Sequence, residues 1–576
     1  MRVLLLHPDD DIQGSWSRER WDLIVDLGRA PKSFYEEWSR RLGCPVFSVF
    51  DFALEVEDLQ VWRGLMQFGM GQVVDRLGID WWDVIGILVQ RDVQDLRLAR
   101  RLADQIKKCQ SLTVTRHSLL AQGLSLQLGC PLKVLQKGLR QEIVTKVGRY
   151  KRAASNLSFM QLRQVVYDKY DARYAWRRKF SGTAERSSAP VVLLPSAYSN
   201  VTRAAFRYAG VLPELQFLLV LARETGAVTP VPGNVQIESL AAFATSGRNR
   251  DELRQLENSW DRLENSLRDH AEFRTSIQLE VLKDAKRWLH WALPIRDAWN
   301  EVFERRSITA CMSGDDSNPY TRIPLLLARH RKLPAIGFHH GALDGIMAYK
   351  NRGFSTYLVK GEMERDYLER VCKVDPGSLR IGAAAAPPKN QSLWSNEAPW
   401  IVFFAEPYET DLWRAEAIYR DVLPRLCVAA RQAGKTVVMK LHPFETVRHR
   451  QRMLKRVLSE QDQGLVNISA APLSPELLRK TWCGVTAEST TAFECATVGI
   501  PAFLCGWLRH AYVGYARQYA RFGVARMLDA PDDLLKIPQM VPDGIPAAGL
   551  ADRLVHAITS NQFREILRDP PTNGLR

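Results

Sequence analysis

The sequence predicts an α/β protein with two domains, each a mostly parallel sheet with helices on both faces, and a helical insertion in the first. Three observations lead there. Short β-branched apolar runs alternate with helical-period segments along most of the chain. At 576 residues the chain is too long for a single core. The stretch IGAAAAPPKNQSLWSNEAP (381–399) breaks the alternation with proline, alanine and polar residues, and reads as a linker.

The expected strands follow in order. The first half offers VLLL (3–6), DLIVDL (22–27), VFSVF (46–50), SLTVT (111–115), VVLL (191–194) and FLLVL (217–221). ITACM (308–312), AIGF (335–338), TYLV (356–359) and LRI (379–381) come next. Helical-period segments such as QDLRLARRLADQIKKC and YTRIPLLLARHRK lie between them. After the linker the series restarts with WIVFF (400–404), TVVMK (436–440), LVNI (465–468), CGVT (483–486) and AFLCG (502–506), with helices between. The reading is therefore a Rossmann-like domain over 1–385, a second over 400–540, and a tail or helix over 541–576. Residues 239–306 form the insertion. Leu253, Leu256, Trp260, Leu263 and Leu267 recur at helical spacing there, as in a helical hairpin packed on the domain rather than an oligomerisation coil, which would need more heptads.

Composition narrows the class. Hydrophobic residues make up 46% and charged residues 25%, as in a soluble globular protein. No apolar run approaches the roughly 18 residues of a membrane span. MRVLLLHPDD has too short an apolar stretch for a signal peptide, and reads as a first strand whose loop is His7 to Asp11. Nine cysteines, dispersed and without CxxC pairs, suggest reduced thiols in the cytoplasm and no zinc site. The net charge of +15, from 79 basic and 64 acidic residues, calls for an anionic partner. The basic, aromatic stretch 133–179 is either a solvated helical face or a patch for an anionic membrane or acceptor.

Two clusters in the second domain could carry chemistry. KTVVMKLHPFET (435–446) is an apolar strand that ends in Lys440, His442, Pro443 and Glu445. In open α/β sheets ligands bind at the carboxyl ends of strands, so this polar end is a candidate site. A histidine there can donate to a phosphate oxygen, and Lys440 adds a compact positive charge. CGVTAESTTAFECATVGIPAFLCG (483–506) is the other. Its strand ends at Thr486, and Glu488, Ser489, Thr490 and Thr491 open a helix with Glu494 one turn further in. Ser489 and Thr490 either only cap that helix or help to make an anion site at its N-terminus. Glu406, after WIVFF, begins a third loop of the same edge.

In the first domain, MSGDDSNPYTRIPLLLARHRKLPAIGFHHGALDG (312–345) places Asp315, Asp316 and Asn318 at one strand end and His339, His340 and Gly341 at the next. Neighbouring strand residues point to opposite faces, so one histidine of the pair is expected to face the cleft. Lys360, Gly361 and Glu362 follow TYLV, and Ser196, Tyr198, Ser199 and Asn200 follow VVLLP. The sequence lacks GxxxxGK[ST], a GxGxxG after the first strand, GxSxG and HExxH, which excludes P-loop NTPases and several hydrolase classes. No nucleic-acid-binding motif is present, and no nucleic-acid partner is expected.

These residues resemble a known group. The second domain is similar to the donor-binding half of GT-B glycosyltransferases. More narrowly, it resembles bacterial surface-polysaccharide enzymes with a His-Pro motif and a later Ser/Thr motif: bacterial sialyltransferases, capsule Kdo transferases and CDP-glycerol glycerophosphotransferases. The resemblance covers roughly 310–510. It implies that His442, Ser489 and Thr490 hold the donor's phosphates and that Glu494, in ECATVGIP, binds the ribose. It also implies that His340, in a His-Gly pair, is a general base, with Asp315 or Asp316 as its orienting partner or as the base itself. Lys440, Glu445, Glu488, Thr491 and Glu406 complete the expected donor site. Five residues separate Glu488 from Glu494, fewer than in the retaining enzymes' paired-glutamate pattern, so inversion is the expected outcome.

The expected protein is thus a metal-independent glycosyltransferase without cofactor. Its substrates would be a nucleotide-sugar donor and a surface-polysaccharide or lipid-linked glycan acceptor. It would be cytoplasmic, with contact to an anionic membrane face. Transfer of a polyol phosphate from a CDP-linked donor, or epimerisation of a nucleotide sugar, are the alternatives.

Overall fold

A strand in a parallel sheet is covered on both faces, so the continuous apolar runs of this sequence should be buried throughout. They are. In the computed structural model WIVFF is buried after Trp400, TVVMK after Thr436, and TWCGVT over all six residues. The structure describes all residues except 8–15, 17–18, 29, 53–55, 107, 136–185, 224–225, 245–249, 342–352, 385–391, 407–411, 443–444, 488, 509–515 and 569–576.

Three sheets result. β1 (Arg2–Leu6), β2 (Leu23–Asp26), β3 (Val46–Ser48), β4 (Ser111–Val114) and β5 (Leu132–Val134) lie in the order β3-β2-β1-β4-β5. β6 (Ser187–Ser196), β7 (Phe217–Leu221), β8 (Val235–Ser239), β9 (Arg306–Ser313), β10 (Ala335–Phe338), β11 (Thr356–Val359) and β12 (Leu379–Ile381) form a seven-stranded sheet. Its order is β12-β11-β10-β9-β6-β7-β8. The last sheet comprises β13 (Trp400–Phe404), β14 (Thr436–Lys440), β15 (Val466–Ser469), β16 (Thr481–Thr486), β17 (Ala502–Cys505) and β18 (Arg526–Leu528). Its order is β15-β14-β13-β16-β17-β18.

Neighbouring strands pair parallel in all three sheets. Counted within itself, each sheet runs outward from its first strand through the second to the third on one side, and from the fourth onward on the other. This is the doubly wound order, with its reversal between first and fourth strands. The fold is therefore α/β with Rossmann-like domains, as expected. The N-terminal five-stranded sheet is additional to the expected pair.

By its contacts the chain divides into two compact units. One comprises Met1–Leu54, Asp95–Arg163 and Pro388–Ala551; the other comprises Glu55–Gln94, Gln164–Pro387 and Asp552–Arg576. The span 1–385, read from sequence as one domain, thus contributes to both. Local alternation finds strands but not which sheet packs on which. Contacts far apart in sequence decide that, such as the Ser33 hydroxyl donating to the Asp421 carboxylate at 2.9 Å in the first unit. The C-terminal helix Ser560–Arg568 belongs to the second unit, where Phe563 and Ile566 enter the core of the seven-stranded sheet. Gly361 must be glycine: a Cβ there would lie 2.2 Å from the Leu554 carbonyl oxygen.

The insertion is helical, with helices over Arg250–Leu267, Ala271–Gln278, Val281–Lys286 and Trp288–Arg305. Leu256, Trp260, Leu263 and Leu267 are buried against the unit and Leu253 is half-buried, as a packed hairpin requires. From residue 136 onward, the basic stretch 133–179 lies outside the described residues. Among the described residues no helix is long and apolar enough to cross a membrane.

One carboxyl in the second unit makes stability depend on pH. Asp80 accepts from the Gly71 and Trp82 backbone N–H groups at 2.6 and 3.0 Å. Burial pushes its pKa up to about 6, and repulsion from Asp83 adds to this. A folded-state pKa above the unfolded one means stability falls as pH rises from about 4 through 6. Asp80→Asn should flatten that dependence. It should unfold later in urea at pH 8 by about 1–2 kcal/mol, allowing for one weakened hydrogen bond.

Candidate functional site

The candidate donor residues stand at the carboxyl edge of the last sheet. Phe404 of β13 pairs with Lys440 of β14 on one side and with Thr486 of β16 on the other, so the three strands end in one row. β13 and β16 are the first and fourth strands, which puts this row at the switch point where doubly wound sheets open a crevice. Glu406 leaves the end of β13, His442 follows β14, and Ser489 to Thr491 follow β16.

Lys440 is nearly buried, and its ammonium donates to the Leu441 carbonyl at 2.6 Å. Burial lowers its pKa from 10.5, while the charges of Glu445 and Glu494 act in the opposite direction. His442 is likewise lowered from 6.5, first by burial and then by Lys440. Burial thus disfavours the charged form of both groups, and the charge of Lys440 disfavours an imidazolium at His442 further.

Glu445 sits differently from its expected place in the donor cluster. It is buried, and its Oε1 accepts from the Tyr419 hydroxyl at 3.1 Å and from the Arg450 Nε at 2.8 Å, with a second bond from the Arg450 guanidinium. Its Oε2 accepts from the His442 backbone N–H at 2.8 Å, and the Glu445 N–H donates back to the His442 carbonyl at 2.9 Å. The carboxylate thus holds the backbone of His442. Arg450 also lies 4.8 Å from the Tyr419 ring centroid.

Across the row, the Thr486 hydroxyl contacts the Phe404 carbonyl and the Glu406 carboxylate, each at 3.2 Å, and accepts from the Ser489 N–H at 3.3 Å. The helix begins at Thr491, and the Thr491 N–H donates to the Ser489 hydroxyl at 3.4 Å. Thr490, half-buried, makes no side-chain cap. The buried Thr491 hydroxyl has no hydrogen-bond partner among the described residues. Glu494 is exposed, close enough to Lys440 to raise its pKa. Glu488 lies outside the described residues.

The second candidate cluster stands at the carboxyl edge of the seven-stranded sheet, where β6 and β9 mark the switch point. The His340 Nδ1 is 2.9 Å from the Gly314 carbonyl oxygen. A carbonyl oxygen can only accept, so Nδ1 carries the proton. In the neutral ring Nε2 then holds the lone pair. The two expected orienting partners are engaged elsewhere. Asp315 accepts from the Ser317 N–H at 2.8 Å and from the Asn318 side-chain amide at 2.6 Å. Asp316 is nearly buried and pairs with Arg322 at 3.2 Å. His339 and His340 do not diverge to opposite faces. Their rings stack at 5.0 Å with 19° between planes, because β10 ends at Phe338 and the pair lies beyond its pleat.

Further residues steady this edge. Lys360 donates to the Gly341 carbonyl at 2.9 Å and to Glu364 at 2.8 Å. Arg223, beyond β7, donates to the Tyr198 hydroxyl at 3.2 Å and lies over the rings of Tyr198 and Tyr320. Sequence reading missed Tyr419, Arg450, Arg322 and the Gly314 carbonyl. An arginine inside the apolar run of YTRIPLLLARH was a signal for Arg322, since a buried arginine needs partners. A backbone carbonyl leaves no mark in sequence. Among the described residues no group of three or more His, Cys, Asp or Glu could hold a metal ion.

No family model matches the chain, and no curated protein matches it. Solved structures are similar to it in part. A putative UDP-N-acetylglucosamine 2-epimerase from Listeria monocytogenes is 9% identical, covering 66% of this chain and 96% of its own, at a TM-score of 0.38. The wall teichoic acid polymerase TagF is 11% identical, covering 75% of this chain and 99% of its own, at 0.35. The spinosyn rhamnosyltransferase SpnG is 14% identical, covering 66% and 100%, also at 0.35. Likeness at this level fixes neither family nor activity.

Proposed function

We propose that the protein is a GT-B-type glycosyltransferase that moves a sugar from a nucleotide-activated donor to a surface-polysaccharide or lipid-linked glycan acceptor. One observation supports it most: both chemistry-bearing clusters fall at the carboxyl edge and switch point of a Rossmann-like sheet. One brings Lys440, His442 and the Ser489–Thr491 segment to one row of strand ends, and the other holds a histidine with an oriented lone pair.

The donor phosphates bind beside Lys440 and His442, with Ser489, Thr490 and Thr491 offering hydroxyl groups. Glu494 takes the ribose, and Glu445 acts as a positioning residue for His442. His340 Nε2 removes the acceptor hydroxyl proton as the acceptor oxygen bonds to the anomeric carbon. The bond from that carbon to the phosphate oxygen breaks, and its electron pair leaves with the nucleotide. Direct displacement inverts the configuration. Cationic and hydroxyl groups beside the departing phosphate supply the largest stabilisation. The charge of +15 also suits attachment to an anionic membrane face.

Thermal-shift measurement against CMP, CDP, UDP and GDP tests the donor site, because a ligand of the native state raises its melting temperature. At least one nucleotide should stabilise the chain. His442→Ala should weaken that nucleotide about 10- to 100-fold, the worth of a hydrogen bond to a charged group. Phosphate beside His442 favours its protonated form, so binding should take up a proton and tighten as pH falls below 7. Absence of any nucleotide effect would sink the proposal. Nucleotide released only with acceptor marks transfer, whereas a sugar isomerised without acceptor marks an epimerase.

A further inference from the structure

We infer that Arg322 is a positioning residue for His340: through Asp316 it fixes the carbonyl that decides which ring nitrogen of His340 holds the lone pair. The inference rests on the reading of His340 as the base.

Arg322 lies in the helix Pro319–His330 and is fully buried. Its Nε donates to the Asp83 carbonyl at 3.0 Å and a terminal nitrogen to the Asp83 carboxylate at 2.7 Å. The other terminal nitrogen reaches both the carbonyl and the carboxylate of Asp316, at 3.2 Å each. A buried ion network of this kind is weak evidence for stability, since apolar residues of similar volume often serve as well. What it does supply is direction. The planar fork of arginine sets two acceptor groups at fixed angles, which a lysine cannot do.

The group so held is the loop after β9. Asp316 is two residues beyond Gly314, whose carbonyl accepts from His340. Between them the loop is tied to itself. The Ser313 hydroxyl donates to the Asp315 carbonyl at 2.7 Å, and Asp315 accepts from Ser317 and Asn318. Gly314 also packs on the Phe338 ring, so closely that a Cβ would come within 2.7 Å of it. The loop is therefore cross-linked within itself, held by β9 at its start and by Arg322 at Asp316. Released from Arg322, the Gly314 carbonyl no longer imposes a proton on Nδ1. The imidazole can then take the Nε2–H tautomer, which has no lone pair on Nε2 to accept the substrate proton.

The test uses the full chain labelled with ¹⁵N-histidine, with His340→Gln identifying the His340 signals. Wild type should show neutral His340 as the Nδ1–H tautomer. Arg322→Met should show both tautomers, and Arg322→Lys an intermediate pattern. Turnover should fall roughly a hundredfold in Arg322→Met with nucleotide affinity unchanged, the usual cost of a misplaced group. If Arg322→Met does not fold, Asp83→Asn, which keeps the guanidinium and removes one charged acceptor, should show the same mixing. An Nε2–H tautomer in wild type overturns the inference, as does an unchanged tautomer in folded Arg322→Met or Asp83→Asn. The tautomer signal needs no substrate, so it stands or falls apart from the nucleotide test.

Discussion

His340→Ala should lower glycosyl transfer by about 10²- to 10⁴-fold while leaving nucleotide binding unchanged, the range expected when a general base is lost. The effect should fall on kcat more than on KM, because the ring acts on a proton that moves only in the transition state. Steady-state kinetics with nucleotide binding measured separately checks both halves. The competing expectation is a structural histidine that only holds the loop through Gly314. In that case His340→Gln, which keeps a donor and an acceptor on a side chain of similar reach, would restore full turnover. Retention of full activity in His340→Ala would remove the histidine from the mechanism.

Arg450→Met should cost about 3–5 kcal/mol of stability, as breaking a buried ion pair does. Glu445 would be left buried without its guanidinium partner, keeping the hydrogen bonds from the Tyr419 hydroxyl and the His442 N–H. Chemical unfolding followed by tryptophan fluorescence measures the loss. Replacing Glu445 and Arg450 together with apolar residues should cost far less, since no lone charge remains. A double-mutant cycle therefore separates the pair from its packing. The same substitution should weaken nucleotide binding, because Glu445 fixes the backbone of His442. Destabilisation with unchanged affinity would confine the pair to the core.

Much of this was legible in the chain. AIGF, TYLV, LRI, WIVFF and TVVMK appear as strands with the bounds read from them, because both faces of a parallel strand must be apolar. The strands that escaped were LKV in β5, VQIES in β8 and RML in β18. LKV and RML have three residues each, and LKV and VQIES carry polar, solvent-facing residues on strands at the ends of their sheets. Edge strands need less apolar surface, so their signal is weak. The polar residues after TVVMK and AIGF stood out for the complementary reason. Packing does not explain them.

The roles within those clusters were less legible. Glu445 and His442 are three residues apart, yet only the hydrogen bond between them shows that the carboxylate serves the backbone of the histidine. Asp315 and Asp316 read alike in sequence, but one closes a turn and the other meets a buried arginine. Spacing gives proximity along the chain and not the direction of a lone pair.

By itself, then, the sequence determined the α/β class, the strand positions and the strand ends where chemistry could gather. Periodicity and burial are local properties, and a local pattern records them. Only the tertiary structure decided that 1–54 and 388–551 share a unit, that Arg322 meets Asp83 across 239 residues of chain, and that Gly314 rather than an aspartate receives the His340 proton. Those choices depend on which surfaces meet and where backbone carbonyls point after packing, and no side-chain pattern encodes a carbonyl.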